Sequence, residues 1–526
     1  MAEGFEKHAR TVTLLTVASR VTGLARDAAL SRVFGAGPIM DAFFFAFLIP
    51  NLFRRLFGEG ALAAAFLPVY TRLRTNDPAQ AHRLASLTIA IMTVVLGVVV
   101  LLGEALLFLL SWINDFDHLA INLMMIMLPY MPLVCLVAIL GAMLQVHGRF
   151  GPTAAAPMIL NLLIVGSAVG LVFIVDHDDK AQRIAHVSVI ASSVLLAGLI
   201  QVAWSLIALR DQRWWRRDWT GAWPEMRSVM IQVGPMILGL GVLQLNTLFD
   251  GIIASYPTVI GETVFGIDYP MQEGAMATVS FAQRLYQFPL GVFGIAIATA
   301  IFPALARLSD ANDDFLTILR RGLRLVVYIG LPASVGLMLV REPLAAVVLQ
   351  GGDFTAEDTR RVGFVLLGYA PAIWAYSMVH VLTRAFYARS ESRTPVRIAC
   401  FVVGLNLALN LILIWPLGEA GLAWSTSLCS FVQVTLLIIA LRRRLGVIVD
   451  RDVRQSWLIV LALSVVMGAA VWLIGLPLID AEPSWSASLL ALAAMVFIGG
   501  SIFLLGSLAL RRPELGWALG RGPELR

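Results

Sequence analysis

The sequence predicts an all-α polytopic membrane protein of about fourteen transmembrane helices, in two pseudo-symmetric sets of six followed by two additional C-terminal helices. Three observations carry that expectation. The 526-residue chain is 59% hydrophobic and only 14% charged, with mean hydropathy +0.82, and it divides into apolar runs of the roughly 20 residues that cross a bilayer. Its basic residues fall on alternate connections between those runs. A stretch of the first half also recurs, without gaps, in the second half.

Taken in order, the first run (11–35) is interrupted by Arg20 and follows ten polar residues, so it does not read as a cleavable signal. The second (39–70) contains Pro50 and the Arg54-Arg55 pair, which soften its edges. Runs at 86–112, 120–146, 154–176 and 185–208 complete the first six. The seventh (229–256) holds a lone carboxylate, Asp250, and the eighth (275–306) holds Arg284 and internal prolines. Runs at 318–340, 361–388, 395–415 and 419–441 close the second six. The last two, 457–476 and 486–510, contain no charge, and Gly468, Gly499, Gly500 and Gly506 let their helices pack closely. They serve either as a packing appendage or as an extra apolar wall for a long hydrocarbon ligand. The matching domain division is 1–218, 219–446 and 447–526.

One set of connections carries Arg72, Arg74 and Arg83, Arg149, the run Arg210–Trp219, Arg320 and Arg321, Arg393 and Arg397, Arg442–Arg444, and Arg511 and Arg512. The intervening set is acidic or nearly so, with Asp115 and Asp117, Asp176–Asp179, Glu262 and Asp268, Asp353 and Glu357, and Asp480 and Glu482, although it also contains Lys180, Arg183, Arg341, Arg360 and Arg361. The positive-inside rule places the first set and both termini in the cytoplasm. The net charge of +5 is thus a topological signal and not a nucleic-acid one. The segment RDQRWWRRDW reads as an interfacial anchor against anionic headgroups. The three cysteines, Cys135, Cys400 and Cys429, lie in apolar segments, which argues against a disulfide framework or a thiolate metal site.

The repeat sets Asp41–Leu73 over Met276–Leu308, with Ala42/Ala277, Phe53/Phe288, Ala61/Ala296, Pro68/Pro303 and Arg72/Arg307 coinciding. Farther on, Tyr130-Met131-Pro132 matches Tyr369-Ala370-Pro371. Both members of each pair start on the same side by loop charge, so the repeats are parallel. Transporters commonly bind substrate where such repeats meet.

Arg20, Arg26, Arg54, Arg55 and Arg284, with Asp27 and Asp41, crowd into two stretches of these apolar runs, Ser19–Ala61 and Ser280–Gly294. An ionisable group at the bilayer centre costs roughly 2.5–3.5 kcal/mol on insertion scales, so such groups line polar cavities and serve function. Cations outnumber anions here, which points to an anionic ligand. Arg20 and Asp27 are seven apart and share a helix face, and Gly23 between them permits a local break. Arg54 and Arg55 follow the kink point Pro50, and Arg55 is spaced to pair with Glu59.

The segments SRVTGLARD, FGAGPIMDAFFFAFLIPNLFRRLFGEGA, AFLPV and QRLYQFPLGVFGIAIATAIFPALA resemble the signatures of the MurJ/MviN family of bacterial lipid II flippases, whose superfamily includes the MATE multidrug exporters. The resemblance runs over most of the chain. It implies two six-helix lobes in a V around a cationic cavity, with helices thirteen and fourteen forming a groove for a polyprenyl tail. It implies translocation of undecaprenyl-pyrophosphoryl-MurNAc-pentapeptide-GlcNAc from the cytoplasmic to the periplasmic leaflet of the inner membrane by alternating access, alongside the cell-wall synthesis machinery and membrane lipids. The family uses the positions matching Arg20, Arg26, Arg54 and Arg284 for function, which makes these the expected substrate-binding residues. Arginine forks suit a pyrophosphate's oxygens. Ser19, Asp27, Asp41 and Glu59 are the expected pairing or gating residues.

Some family members bind Na⁺ in the second lobe, and Asp250, Asn406, Asn410 and Thr426 supply the hard oxygens such a site needs. The alternative for these residues is hydrogen bonding between helices. No other cofactor is expected. HExxH, Walker and nucleophile-elbow motifs are missing from the sequence, so the expected protein is a transporter driven by membrane potential, an ion gradient or downstream removal of substrate. The rival readings are a flippase for another prenyl-pyrophosphoryl oligosaccharide, a MATE-like multidrug or ion antiporter, and a membrane-embedded enzyme. An antiporter calls for an acidic cavity and twelve helices. An enzyme calls for paired carboxylates or a His cluster near the arginines, which the sequence lacks.

Overall fold

The computed structural model describes residues 2–58, 61–112, 118–176, 178–212, 214–308, 311–475 and 484–519. The chain folds as two compact units, Met1–Ala277 and Thr278–Arg526.

The first unit opens with α1 (Ala2–Phe34), which is continuous through Gly23. The local break that Gly23 permits is not taken. Its backbone keeps an ordinary helical φ, and polar neighbours on α1 are satisfied by side chains from another helix, as described below. Next, α2 (Pro38–Phe53) runs into a π-helical turn, Arg54–Gly58, and then α3 (Ala61–Asn76). Pro50 has no N–H to give the turn before it, so the helical ladder is weakened just ahead of the π-turn. The remaining helices are α4 (Pro78–Leu110), α5 (His118–Met127), α6 (Tyr130–Val146), α7 (Gly151–Leu171), α8 (Lys180–Leu209) and α9 (Trp223–Val259). Asp77 caps α4 through the Gln80 amide, with Pro78 in the first turn where its missing N–H costs nothing. In this unit α7 packs on α1 and α8, while α2 packs on α5 and α9.

A two-residue hairpin pairs Thr263–Val264 with Ile267–Asp268, so the fold departs from all-α at one surface turn. Phe265 and Gly266 both take positive φ, as a type I′ turn requires.

The helix α10 (Ala275–Pro289) begins at the end of the first unit and continues in the second. A second π-turn, Leu290–Gly294, leads to α11 (Ile295–Arg307). Then come α12 (Asn312–Leu349), α13 (Ala356–Tyr369), a 3₁₀ turn at Ala370–Ala372, α14 (Ile373–Ala388), α15 (Arg393–Leu417), α16 (Ala420–Leu445), α17 (Arg451–Gly475), α18 (Trp485–Ala509) and the short α19 (Pro513–Ala518). The core of this unit surrounds α12, whose Leu319, Leu323, Val326 and Val327 meet Met378, Val381 and Leu382 of α14.

The repeat seen in the sequence is also a repeat of irregularities. Each long member has a π-turn at nearly the same place, and each shorter member breaks its helix at the Tyr-x-Pro motif, at Leu128–Pro129 and at Ala370–Ala372. The two C-terminal helices pack as their glycines suggest. A Cβ added at Gly468 would come within 2.9 Å of Val335, and one at Gly499 within 2.9 Å of Val471. Gly500 is different, with open space where its Cβ would be.

Ten helical segments among the described residues combine the length and apolarity needed to cross a membrane: Pro78–Leu110, His118–Val146, Gly151–Leu171, Lys180–Gln212, Asn312–Leu349, Ala356–Ala388, Arg393–Leu417, Ala420–Leu445, Arg451–Gly475 and Trp485–Ala509. Their outward faces carry exposed Leu, Val and Phe, among them Leu101, Leu102, Leu490 and Phe497. Such a surface suits lipid and not water. The chain is therefore a multi-pass membrane protein.

Candidate functional site

The charged part of α1 is built against α7. The Arg26 guanidinium lies buried and grips its neighbour Asp27, with Nε 2.9 Å and Nη2 2.6 Å from the same carboxylate oxygen. Its Nη1 donates to Asn161 Oδ1 at 3.1 Å. The Asn161 amide in turn donates to the Ser19 carbonyl and the Thr22 hydroxyl, both at 3.3 Å. Helical spacing alone puts Asp27 on the face of Arg20. Residues one apart do not share a helix face, yet the long Arg26 side chain curls back to its neighbour. Three of the five guanidinium N–H groups of Arg26 are used in these bonds, which leaves two for a further acceptor.

This pairing changes the charge balance. Arg26 and Asp27 neutralise each other, so the net positive charge of α1 here rests on Arg20, which is half-buried and has no ion pair among the described residues. Ser19 enters the network through its backbone carbonyl. Sequence reasoning does not single out Asn161. The signal for it is a single amide inside the otherwise apolar run 154–176.

Asp41, fully buried in α2, accepts the Thr258 hydroxyl at 2.6 Å and the backbone amides of Gly274 at 2.7 Å and Ala277 at 2.8 Å. Those amides belong to the start of α10, so Asp41 caps that helix from a distance of more than 200 residues in sequence. A carboxylate there also meets the positive end of the helix dipole.

Arg54 opens the first π-turn and donates from Nε and Nη2 to Asn51 Oδ1, at 3.1 and 3.0 Å. Glu59 lies outside the described residues. Arg284 is exposed on α10. On the same helix Gln283 donates to the Tyr369 hydroxyl at 3.1 Å, and the Tyr286 ring stacks on Tyr369 at 4.5 Å and approaches Tyr376 at 5.7 Å. Sequence reasoning misses this tyrosine cluster, although Tyr286 sits within the repeated motif and Tyr369 within Tyr-x-Pro.

The expected cation-site residues divide between the two units. Asp250, buried in α9, accepts from Asn246 at 3.3 Å. In the second unit, Asn406 and Asn410 of α15 form a buried network with Ser425 and Thr426 of α16. Asn406 Nδ2 is 3.4 Å from both hydroxyls, Asn410 Nδ2 donates to Asn406 Oδ1 at 3.1 Å, and Ser425 donates to Asn410. A further carboxylate that sequence reasoning misses is Glu104 in α4, which has a buried oxygen without a hydrogen-bond partner among the described residues.

A family model described as "Lipid II flippase MurJ" matches residues 30–499. The chain belongs to the MurJ family. A probable lipid II flippase MurJ of Vibrio cholerae is 32% identical over 451 residues, covering 81% of each chain. One from Haemophilus influenzae is 29% identical and covers 94% of this chain and 98% of its own. Among solved structures, a lipid II flippase MurJ in an inward closed conformation superposes with TM-score 0.77 at 21% identity, over 96% of this chain and 99% of that one. The MurJ match spans Asp41, both π-turns, Asn161 and the Asn406–Asn410 network. It begins within the last turns of α1, so Ser19, Arg20, Arg26 and Asp27 lie just ahead of the matched segment.

Proposed function

We propose that this chain moves lipid II from the cytoplasmic to the periplasmic leaflet by alternating access. The observation that carries the reading is the MurJ family match over 30–499, and the buried guanidinium network on α1 supports it physically. In this reading Arg20 supplies net charge to the pyrophosphate and Arg26 supplies its two remaining N–H donors, held in place by Asp27 and Asn161. Arg54 and Arg284 complete the anion site. Arg26 is well suited because its fork is already oriented, so little side-chain entropy is lost on binding.

About fourteen helices cross the inner membrane in this reading, with both termini cytoplasmic. They form two six-helix lobes in a V, 1–218 and 219–446, and 447–526 contributes α17 and α18 as a groove for the polyprenyl tail. Asp41 and the cap of α10 belong to the gating machinery. Asp250 and the Asn406–Asn410–Thr426 network respond to Na⁺, which acts only if it binds one state more tightly than the other. The deciding experiment is depletion of the protein in its own host, with lipid II accessibility measured in each leaflet. Lipid II should accumulate in the inner leaflet and be released by the wild-type chain. Unchanged export would end the reading.

A further inference from the structure

We propose that residues 210–227 form a docking surface for the anionic headgroups of membrane phospholipids, separate from the arginines of α1. The segment joins α8 to α9 and is held firmly against the first unit. Trp214 is buried, the Arg216 amide donates to Ser86 Oγ of α4 at 2.8 Å, Arg74 donates to Gln212 at 3.3 Å, and Gln80 donates to the Gly221 carbonyl.

The segment contains three carboxylates, and each is taken by an arginine from another part of the chain. Asp211 pairs with Arg149, Asp218 with Arg83 at 3.1 Å, and Glu225 with Arg72 at 2.8 Å. Hydrogen bonds from the Thr220 hydroxyl and amide hold the Asp218 carboxyl below the usual carboxylate range, so it stays ionised beside Arg83. Asp211 is gripped by both terminal nitrogens of Arg149. What the segment presents outward is Arg210, Arg216, Arg217 and Arg227, all exposed and without an ion pair among the described residues. Beside them are the exposed indoles of Trp215, Trp219 and Trp223.

The acids thus fasten the segment down while its own cations remain available. Guanidinium forks match phosphate oxygens bidentately. Tryptophan rings settle at the headgroup level, where an amphipathic ring has both an apolar and a wet side. A zwitterionic headgroup brings its own cation and is attracted less. An anionic one, such as phosphatidylglycerol, receives the full charge of four arginines. Docking of this kind requires only that the protein sits in a membrane, so it does not depend on which substrate is transported.

The test is native mass spectrometry of the full-length chain in detergent, titrated with phosphatidylglycerol or phosphatidylcholine. Each arginine near a charged surface is worth roughly fivefold in binding. The variant Arg210→Gln/Arg216→Gln/Arg217→Gln/Arg227→Gln should therefore lose at least about tenfold in phosphatidylglycerol affinity. Its phosphatidylcholine binding and thermal midpoint should not change, because every paired residue is retained. A control, Arg451→Gln/Arg454→Gln, removes exposed charge from the start of α17 and should bind phosphatidylglycerol as the wild type does. Unchanged binding by the fourfold variant, equal losses in both variants, or displacement of the lipid by inorganic phosphate would each overturn the proposal.

Discussion

The two halves of this chain share a helical plan but hold different chemistry inside it. Each has a long proline-containing segment with a π-turn, and each breaks a shorter helix pair at Tyr-x-Pro. In the first half, charged groups are buried alongside neutral ones such as Asn161: Arg26 with Asp27, and Asp41 on backbone amides. In the second half, the buried groups inside α15 and α16 are neutral amides and hydroxyls, Asn406, Asn410 and Ser425. Scaffold and buried polar chemistry therefore vary independently. Packing positions tolerate repetition, whereas a buried charge needs a partner at one defined place.

The strongest way to break this comparison is Arg26→Ala. It removes a proposed ligand for the pyrophosphate and leaves Asp27 buried without its cation, a loss that costs about 3–5 kcal/mol in other buried pairs. We expect export to fail in a depletion strain and the thermal midpoint to fall. Arg26→Ala/Asp27→Asn should recover most of the stability and none of the transport. If the double variant transports, the arginine serves only to balance the aspartate. Arg26→Lys should restore part of the activity at most, since an ammonium lacks the fork that serves Asp27 and Asn161 together.

Asp41→Asn is next. The amide keeps one acceptor where the carboxylate serves Thr258, Gly274 and Ala277, so roughly 1–3 kcal/mol of stability should go. Denaturation of the purified protein, followed by helical signal, checks the value.

The second half does have a fully buried carboxylate, Glu514, beyond the last spanning helix. It accepts from Arg324 at 2.8 Å, Ser456 at 2.6 Å and Arg512 at 2.9 Å. Burial pushes its pKa up, but the bonds from Ser456, its own backbone and Arg324 together outweigh that and hold it below the ordinary glutamate value of 4.5. A depressed carboxylate stabilises the fold above its unfolded value and loses that contribution as pH falls through the folded value. Wild-type stability should thus decline below about pH 4.5 more steeply than that of Glu514→Gln. The variant should start lower by about 1–2 kcal/mol. Parallel pH profiles for the two proteins would show that Glu514 contributes no such linkage.

The smallest effect belongs to Asn410→Ala. Hydrogen bonds between membrane helices average only about 0.6 kcal/mol, so the neutral network should yield little when cut. A loss several times larger, or one seen only with Na⁺ present, would mean that the network holds an ion and is not merely packing.

Much of the fold was legible because hydropathy is a property of whole segments. Ten of the fourteen runs correspond to helices long and apolar enough to cross a membrane among the described residues, and the close packing of Gly468 and Gly499 followed from their place in charge-free helices. The site was legible only as a set of residues. That Arg26 would choose its neighbour Asp27 depends on Asn161, which arrives from α7 and fixes the other end of the guanidinium. That Asp41 would cap α10 depends on a contact more than 200 residues away, which no local period encodes. The break that Gly23 permits is not taken for a related reason: permissive φ makes a break possible, but nothing at that point demands one.

The π-turns have a consequence for how the chain can change by mutation. A π-turn holds one residue more per turn than an α-turn. That extra residue rotates everything after it by about 100° relative to what came before, given roughly 3.6 residues per α-turn. The turn Leu290–Gly294 is such a discontinuity, so Pro303 and the rest of α11 face where they do only because the surplus residue is present. The two repeated stretches align without gaps because both retain their surplus. Deleting one residue from Leu290–Gly294 would restore a regular helix and turn α11 a quarter-turn or more out of register with its neighbours. These segments should accept substitutions far more readily than single-residue deletions, and the length of each is as much inherited information as its sequence.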